Sequence, residues 1–281
     1  MPLTQAGDLV LLINERDRRY FIRRLVPGQQ LITHHGVLAH DELIGQPLGA
    51  CVYTHLGIPY YLLRPTTEEL VRHLRRRSQI IFPKDAGYII LRLGVAPGSV
   101  VVEAGTGSGG LCLALATMVG DDGHVYSYDE RSAMLEIAAE NLQRVGLAHR
   151  VTFKQRDVSQ GFDEVDADAL FLDLRRPWEL LDQARAALRG GGVLGCLVPT
   201  ANQLVTLLES LEAHPAFGLV EAEELLLRPY KTLPARVRPE DRIVGHTGYL
   251  IFARALIPET RRPSAEADED KPHTEDADQP L

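Results

Sequence analysis

Hydrophobic and polar positions follow two different patterns along the chain, and the change falls near residues 64–78. Before it, short apolar runs such as Leu9–Ile13 are separated by polar turns and frequent glycines. Apolar runs bounded by such turns are typical of β-strands in a small all-β unit. We therefore predict a β-rich N-terminal domain over residues 1–64.

A helical segment follows this domain. Thr66 and Glu69 have the spacing of a capping box, in which each side chain accepts from the other residue's backbone N–H at a helix start. Leu70 and Leu74 continue the apolar face, and we expect the helix to include the basic cluster that ends at Arg77. We assign residues 65–94 to a helical linker on the substrate side.

From Val95 onward, predicted strands alternate with amphipathic helices. The strands are residues 100–102, 125–128, 151–153, 169–172 and 193–198, followed by extended stretches near 219–227 and 248–255. The helices are 111–118, one from Ala133 stopped by Gly146, one from Pro177 stopped by the glycines 190–192, and 201–212. Strand–helix alternation is typical of a doubly wound, mostly parallel sheet. We predict an α/β fold with a seven-stranded Rossmann-like sheet over residues 95–257.

The net charge of −8 is unevenly distributed along the 281 residues. Residues 258–281 contain eight acidic and three basic residues, which leaves only −3 for the rest of the chain. This segment has no aromatic residue, and we predict a disordered acidic tail. Basic clusters elsewhere are candidates for phosphate contacts, namely Arg16, Arg18, Arg19, Arg23 and Arg24, and Arg72, Arg75, Arg76 and Arg77.

Other features argue against several protein classes. No apolar run approaches the ~20 residues that cross a bilayer, and no secretory signal is visible at the start. Three scattered cysteines are too few for a disulfide framework or a zinc site. His34, His35 and His40 are close in sequence, but they lack a carboxylate partner. We expect a cytoplasmic protein without a metal site or membrane association.

A glycine-rich loop follows the first strand of the α/β domain, where Glu103 is followed by Ala-Gly-Thr-Gly-Ser-Gly-Gly. Gly105, Gly107 and Gly110 match the dinucleotide-binding pattern, whereas Gly105, Gly107 and Gly109 match that of S-adenosylmethionine (SAM) enzymes. Both patterns need glycine because the backbone turns tightly and approaches a ligand closely. The loop alone leaves both cofactors open.

Four acidic residues favour SAM, since Glu103, Asp129, Asp157 and Asp173 close four consecutive strands. A carboxylate at position 103 would repel a pyrophosphate but tolerate a cationic ligand. Asp129 is placed to accept from ribose hydroxyls, and Asp157 from an adenine amino group. Asp173 closes the fourth strand at the carboxyl edge of the sheet, where open α/β folds bind ligands.

Several short motifs occur in a fixed order. They are Thr33-His34-His35-Gly36 with His40, Gln79-Ile80-Ile81-Phe82-Pro83-Lys84-Asp85-Ala86, Glu103 to Gly109, Ser127-Tyr128-Asp129, Leu172-Asp173-Leu174 with Pro177-Trp178, and Gly245-His246-Thr247-Gly248-Tyr249. In these motifs the chain resembles the tRNA adenine-N1 methyltransferases, which modify adenine 58 in the T-loop. The resemblance reaches to about Leu256. It implies a SAM-dependent homotetramer that acts on tRNA.

The resemblance and the glycine loop together imply the site residues. Asp173 is expected to be catalytic, because a carboxylate that accepts from the adenine N6 amino group would stabilise the charge developing on the ring. Expected cofactor contacts are Gln79, Glu103, Gly105, Thr106, Gly107, Ser108, Gly109, Leu111, Asp129, Arg131, Asp157 and Asp173. Expected substrate contacts are Phe82, His34, His35, Arg75, Arg76 and Tyr249. Phe82 stands where the family commonly has Tyr or His, so stacking is retained without a hydroxyl or imidazole.

Two alternatives remain beside a tRNA methyltransferase. One is a non-catalytic RNA-binding subunit of the same fold, and the other is a methyltransferase for small molecules or proteins. The intact glycine loop, Asp129 and Asp173 favour an active enzyme over the first. The N-terminal β unit argues against the second, because small substrates rarely need such an appendage.

Overall fold

The computed structural model describes residues 3–14 and 20–257. Its N-terminal part contains β1 Leu9–Ile13, β2 Tyr20–Arg24, β3 Gln30–Thr33, β4 Gly36–Ala39, α1 His40–Leu43, β5 Cys51–Tyr53 and β6 Pro59–Leu63. Four strands form an antiparallel sheet in the order β2-β1-β6-β5, and β3 pairs with β4 as a separate hairpin. Leu12, Leu38 and Tyr60 are among the buried residues of its own core. The small β-rich unit is confirmed, while the tail 258–281 and Arg16, Arg18 and Arg19 lie outside the described residues.

Two helices follow this unit, α2 Thr67–Arg72 and α3 Pro83–Leu93. The capping box at Thr66 and Glu69 is present, as predicted. The prediction that the helix continues to Arg77 was wrong, because α2 ends at Arg72. The backbone N–H of Arg75 donates to Asn141 Oδ1 at 3.1 Å, and that of Arg77 to Ser108 Oγ at 3.0 Å. These tertiary hydrogen bonds replace the helical ones, so the arginines lie in a loop.

The remaining chain forms the predicted α/β domain. Its strands are β7 Val100–Ala104, β8 His124–Asp129, β9 Val151–Gln155, β10 Ala167–Leu172, β11 Leu188–Val198, β12 Phe217–Glu223, β13 Tyr230–Lys231, β14 Arg238–Pro239 and β15 Tyr249–Ala255. Its α-helices are α4 Gly110–Met118, α5 Ser132–Val145, α6 Leu181–Ala187 and α7 Ala201–Ala213. The seven-stranded sheet has the order β12-β15-β11-β10-β7-β8-β9. All neighbours are parallel except at β15, which is antiparallel to β11 and β12.

The chain reverses its direction across the sheet beside β7. It first builds β8 and β9 on one side of β7, and it then returns to build β10 and β11 on the other. Ligands of open α/β sheets bind outside the carboxyl ends of the strands at such a switch point. The crevice between β7 and β10 is therefore where the fold places a binding site.

Two boundaries differ from the predictions. The helix after Pro177 ends at Ala187, and the glycines 190–192 lie inside β11 instead of stopping the helix. A Cβ at Gly192 would lie 3.0 Å from the backbone oxygen of Arg189 and 3.2 Å from that of Ala167, which leaves little space for a side chain at this position. The extended stretch predicted over 219–227 ends at Glu223, and residues 226–246, which we name the arm, leave the sheet.

The three cysteines differ in burial. Cys112 and Cys196 are buried in the core, and Cys51 is exposed. Within residues 3–14 and 20–257, no helix has the length and apolar character that a membrane span requires.

Candidate functional site

A cavity of about 560 Å³ opens at the carboxyl ends of β7, β8, β9 and β10. Gln79, Gly105, Gly107, Asp129, Arg131, Asp157 and Asp173 are among its lining residues. A smaller cavity beside it is lined by Glu103, Thr106, Ser108, Leu111 and again by Gln79, Gly105, Gly107 and Asp173. Eleven of the twelve expected cofactor residues thus line one or both cavities, Gly109 being the exception.

The glycine loop brings β7 and β10 together at this point. Gly105 has φ +98°, and a Cβ there would lie 2.3 Å from the backbone oxygen of Asp173. Gly107 has φ +51°, and its Cβ would lie 2.9 Å from Ser78 Oγ. The backbone N–H of Asp173 donates to the carbonyl of Ala104 at 2.9 Å. Only glycine at position 105 therefore allows Asp173 to lie this close to the loop.

Asp129 is 6% exposed and accepts four hydrogen bonds. Its Oδ2 accepts from the backbone N–H of Gly107 at 3.1 Å and from the Arg131 guanidinium at 3.3 Å. Its Oδ1 accepts from the backbone and Nε of Arg131, at 3.0 and 3.1 Å. Because a carboxylate has about four lone-pair sites, these four bonds use its full accepting capacity. The ribose contact expected of Asp129 stays a prediction.

Asp157 precedes a short 3₁₀ helix at the next strand end. Its Oδ1 accepts from the backbone N–H of Ser159 at 2.9 Å. The hydrogen bonds from Ser159 hold the pKa of Asp157 below its usual value. The residue is exposed and ionised at neutral pH, as its predicted contact with an adenine amino group requires.

Glu103 lines the smaller cavity and is 2% exposed. Its carboxyl group accepts from Ser127 Oγ at 2.5 Å, and Ser127 Oγ is 2.7 Å from Thr106 Oγ1. Burial raises the pKa of Glu103 to about 8. In this environment most of the carboxyl is protonated at neutral pH, whereas the sequence analysis treated Glu103 as a carboxylate.

Asp173 is half-buried at the end of β10, where the two cavities meet. Burial raises the pKa of Asp173 to about 6. The carboxyl is therefore mostly ionised at neutral pH and can accept a hydrogen bond from a group in either cavity. Ser108, by contrast, points its hydroxyl at the backbone N–H groups of Arg77 and Ser78, at 3.0 and 3.1 Å.

The expected substrate residues are more dispersed, and none of them lines the two cavities. Phe82 is half-buried directly before α3, and Tyr249 begins β15 with its ring 4.9 Å from that of His246. His34 and His35 lie in the β3–β4 turn with ring centroids 3.8 Å apart, and His35 Nδ1 is 3.2 Å from the Tyr60 hydroxyl.

The basic pair of this set lies in the loop after α2. The Arg75 side chain is 66% exposed and 3.4 Å from Glu140. Arg76 donates to the carbonyl of Arg72 at 2.6 Å. All six substrate contacts stay predictions.

Sequence reasoning missed several residues that contribute to the site. Ser127 was noted only as part of the Ser-Tyr-Asp motif, and its hydrogen bond to Glu103 was not predicted. Arg156, which lines the larger cavity, carried no local signal. The contact of Lys84 with Thr247, at 2.7 Å, joins two motifs that were noted only separately. In the part of the chain that the structure describes, no group of three His, Cys, Asp or Glu residues could hold a metal ion.

The sheet order, the glycine loop and the strand-end acids define a SAM-dependent methyltransferase, and solved structures agree. A Thermotoga maritima protein described as a SAM-dependent O-methyltransferase is 40% identical with a TM-score of 0.84, covering 93% of this chain and 97% of that one. The tRNA (m1A58) methyltransferase TrmI of Aquifex aeolicus is 37% identical with a TM-score of 0.77, covering 91% of this chain and 100% of that one.

Sequence comparisons then give the family. A family model for the tRNA methyltransferase complex GCD14 subunit matches residues 59–237, and one for the TrmI-like N-terminal domain matches residues 3–52. The tRNA (adenine(58)-N(1))-methyltransferase TrmI of Thermus thermophilus is 35% identical over 247 residues, which cover 87% of this chain and 96% of that protein. The chain belongs to the TrmI family of tRNA methyltransferases. The predicted family, fold class and SAM cofactor are confirmed.

Proposed function

We propose that this chain transfers the methyl group of SAM to N1 of adenine 58 in the T-loop of tRNA. The observation that carries the proposal is the position of Asp173, which the glycine loop holds at the junction of the two cavities. We further propose that the chain acts as a homotetramer in the cytoplasm, as the resemblance to the family implies.

The cavity fits the cofactor in size and in chemistry. Gly105 and Gly107 leave the loop backbone open to a ligand, and Asp129 and Asp157 offer carboxylates for ribose hydroxyls and an adenine amino group. Gln79 borders both cavities, so it can contact ligand atoms in either. When bound, SAM supplies a methyl group activated by its sulfonium charge.

Asp173 would act on the acceptor base. Adenine N1 is a weak nucleophile, and its methylation leaves a positive charge on the ring. An ionised carboxylate that accepts from the N6 amino group stabilises this charge as it develops, which is electrostatic catalysis aimed at the transition state. With its pKa raised to about 6, Asp173 keeps the charged form near neutral pH that this role requires.

The acceptor base has to leave the tRNA elbow before it can reach the site. Extrusion of a base costs a few kcal/mol, and stacking against side chains offsets part of that cost. Phe82 and Tyr249 are the aromatic candidates for this contact. Arg75 and Arg76 are exposed beside α2 and can contact phosphates, where positive charge is needed.

The direct test is incubation of the chain with labelled SAM and unmodified tRNA, followed by nucleoside analysis. We expect 1-methyladenosine, and no product with a matched tRNA in which guanosine replaces adenosine 58. Asp173→Asn should keep SAM affinity and lose most of the activity, roughly 100-fold or more, as when one transition-state hydrogen bond is removed.

The other outcomes of this test separate the alternatives. A non-catalytic RNA-binding subunit would bind tRNA without product and give no heat with SAM in calorimetry. Label in a small hydroxylated acceptor, with none in tRNA, would favour oxygen methylation, as in the description of the Thermotoga maritima protein. Parent-like methylation by Asp173→Asn would show that the catalytic assignment is wrong.

A further inference from the structure

Two motifs that are far apart in the sequence meet at one ammonium group. Lys84 Nζ donates to Asp85 Oδ1 at 2.6 Å, to Thr247 Oγ1 at 2.7 Å and to the backbone carbonyl of Leu225 at 2.8 Å. The side chains of Lys84 and Asp85 are only 10% and 2% exposed. The three acceptors use all three N–H groups of the ammonium, so it is fully satisfied inside the protein.

Leu225 and Thr247 flank the arm at its two ends, and we name this pair the base of the arm. The arm itself is exposed throughout, except for the half-buried Lys231, Pro239 and Gly245. Its internal pairing is short, because β13 and β14 have two residues each. A segment this exposed is positioned mainly by its ends.

His246, the last residue of the arm, contacts the residue that follows β11. Its Nε2 donates to the carbonyl of Pro199 at 2.8 Å, and its Nδ1 lies 2.6 Å from Glu224 Oε1. Pro199 directly follows β11, so this contact lies at the carboxyl edge that also carries the cavities. Tyr249 lies two residues after Thr247, and Phe82 lies two residues before Lys84.

We propose that Lys84 is a positioning residue. By donating to both residues of the base of the arm, it holds them together and thereby fixes Phe82 and Tyr249 relative to each other for the acceptor base. The arm has five basic and two acidic residues, a charge of +3 in a chain of net charge −8. This local positive charge suits an RNA acceptor. The inference rests on the proposed tRNA methylation for its activity measurement, but not for its structural one.

Three variants separate positioning from stability. Lys84→Met keeps the side-chain length but leaves the buried Asp85 without a countercharge, which destabilises proteins strongly. Lys84→Met/Asp85→Asn removes both charges and should restore most of the lost thermal stability. Thr247→Val is the matched variant that removes one contact with the arm and leaves the ion pair intact.

Trypsin measures the arm directly, because it can cut after Lys231, Arg236 and Arg242. We expect arm cleavage to become about tenfold faster in Lys84→Met/Asp85→Asn, and less so in Thr247→Val, because the double variant loses both hydrogen bonds to the base of the arm and Thr247→Val loses only one. The double variant should keep SAM affinity within about twofold, while its kcat/KM for unmodified tRNA falls about tenfold despite the regained stability.

Arm cleavage and tRNA methylation at parent rates in the folded double variant would overturn the proposal. If neither Lys84 variant folds, Thr247→Val provides the test. Parent-like rates of arm cleavage and of tRNA methylation in Thr247→Val would then overturn the proposal. Faster arm cleavage in the double variant, with a parent protein that does not methylate tRNA, would support the positioning role and contradict the proposed function. The two failures are therefore distinguishable.

Discussion

Gly105 packs so closely against the backbone of Asp173 that a side chain at position 105 would collide with it. Gly105→Ala tests what this close packing contributes to the site. The added Cβ would lie 2.3 Å from the Asp173 carbonyl oxygen, where ordinary contact begins at 3.4 Å. The obstacle is backbone, so no side-chain rotation relieves it. The strand end that carries Asp173 would have to move by roughly 1 Å, against its hydrogen bond to Ala104.

Gly146→Ala is the matched control. Gly146 follows α5 with φ +83°, close to the +98° of Gly105, and its Cβ would meet no heavy atom of the described chain within 4 Å. Both substitutions place an L-residue in the left-handed region, which costs about 1–2 kcal/mol. Only Gly105→Ala adds the collision. A misplacement of ~1 Å can reduce a rate about 100-fold, and we expect a loss of that order.

Urea unfolding, SAM calorimetry and single-turnover methylation together measure these effects. Gly146→Ala should lose stability only, with parent-like SAM affinity and rate. Gly105→Ala should lose more stability than the control, bind SAM more weakly and methylate far more slowly. Equal stability loss in the two variants, with parent-like methylation by Gly105→Ala, would refute the idea that this close approach positions Asp173.

Two further predictions concern charge. Arg75→Ala/Arg76→Ala should weaken tRNA binding and make its salt dependence shallower without changing SAM affinity; unchanged tRNA affinity in filter binding would count against the basic loop. Burial raises the pKa of Glu103 from an ordinary 4.5 to about 8 in the folded chain. The contribution of the protonated carboxyl to the free energy of unfolding is therefore fully present below pH 4.5 and is lost as the pH rises through 8. In urea unfolding across this pH range, the free energy of unfolding should therefore decline less for Glu103→Gln than for the parent. Equal declines in the two proteins would contradict the raised pKa.

The features that could be predicted from sequence are those with local signals. An apolar strand that ends in an acidic residue is visible within a few positions, as at Asp129 and Asp173. Parallel strands bring their carboxyl ends to one edge, so a list of strand ends already implies a shared site. The glycine loop is likewise a single short motif. For these reasons the seven-stranded sheet was predicted correctly, and eleven of the twelve residues expected to contact the cofactor line the two cavities.

The features that could not be predicted depend on distant partners. Lys84 contacts residues 141 and 163 positions away, and no periodicity relates them. The charge of Glu103 depends on burial, which pattern alone does not quantify. The glycines at 190–192 have the composition of a helix stop, but they lie inside β11, in the register shift between its pairs with Ala167 and Ala169 of β10. In each case tertiary structure overrides a local preference.

The loop of basic residues and the glycine loop form one structural unit. Ser108 belongs to the glycine loop, yet its hydroxyl accepts from the backbone N–H groups of Arg77 and Ser78. Asn141 on α5 accepts from the Arg75 N–H and donates to the carbonyls of Arg75 and Ser108, at 2.9 and 3.0 Å. A displacement of either loop would break these bonds, so the segment expected to face tRNA and the segment expected to hold SAM move together.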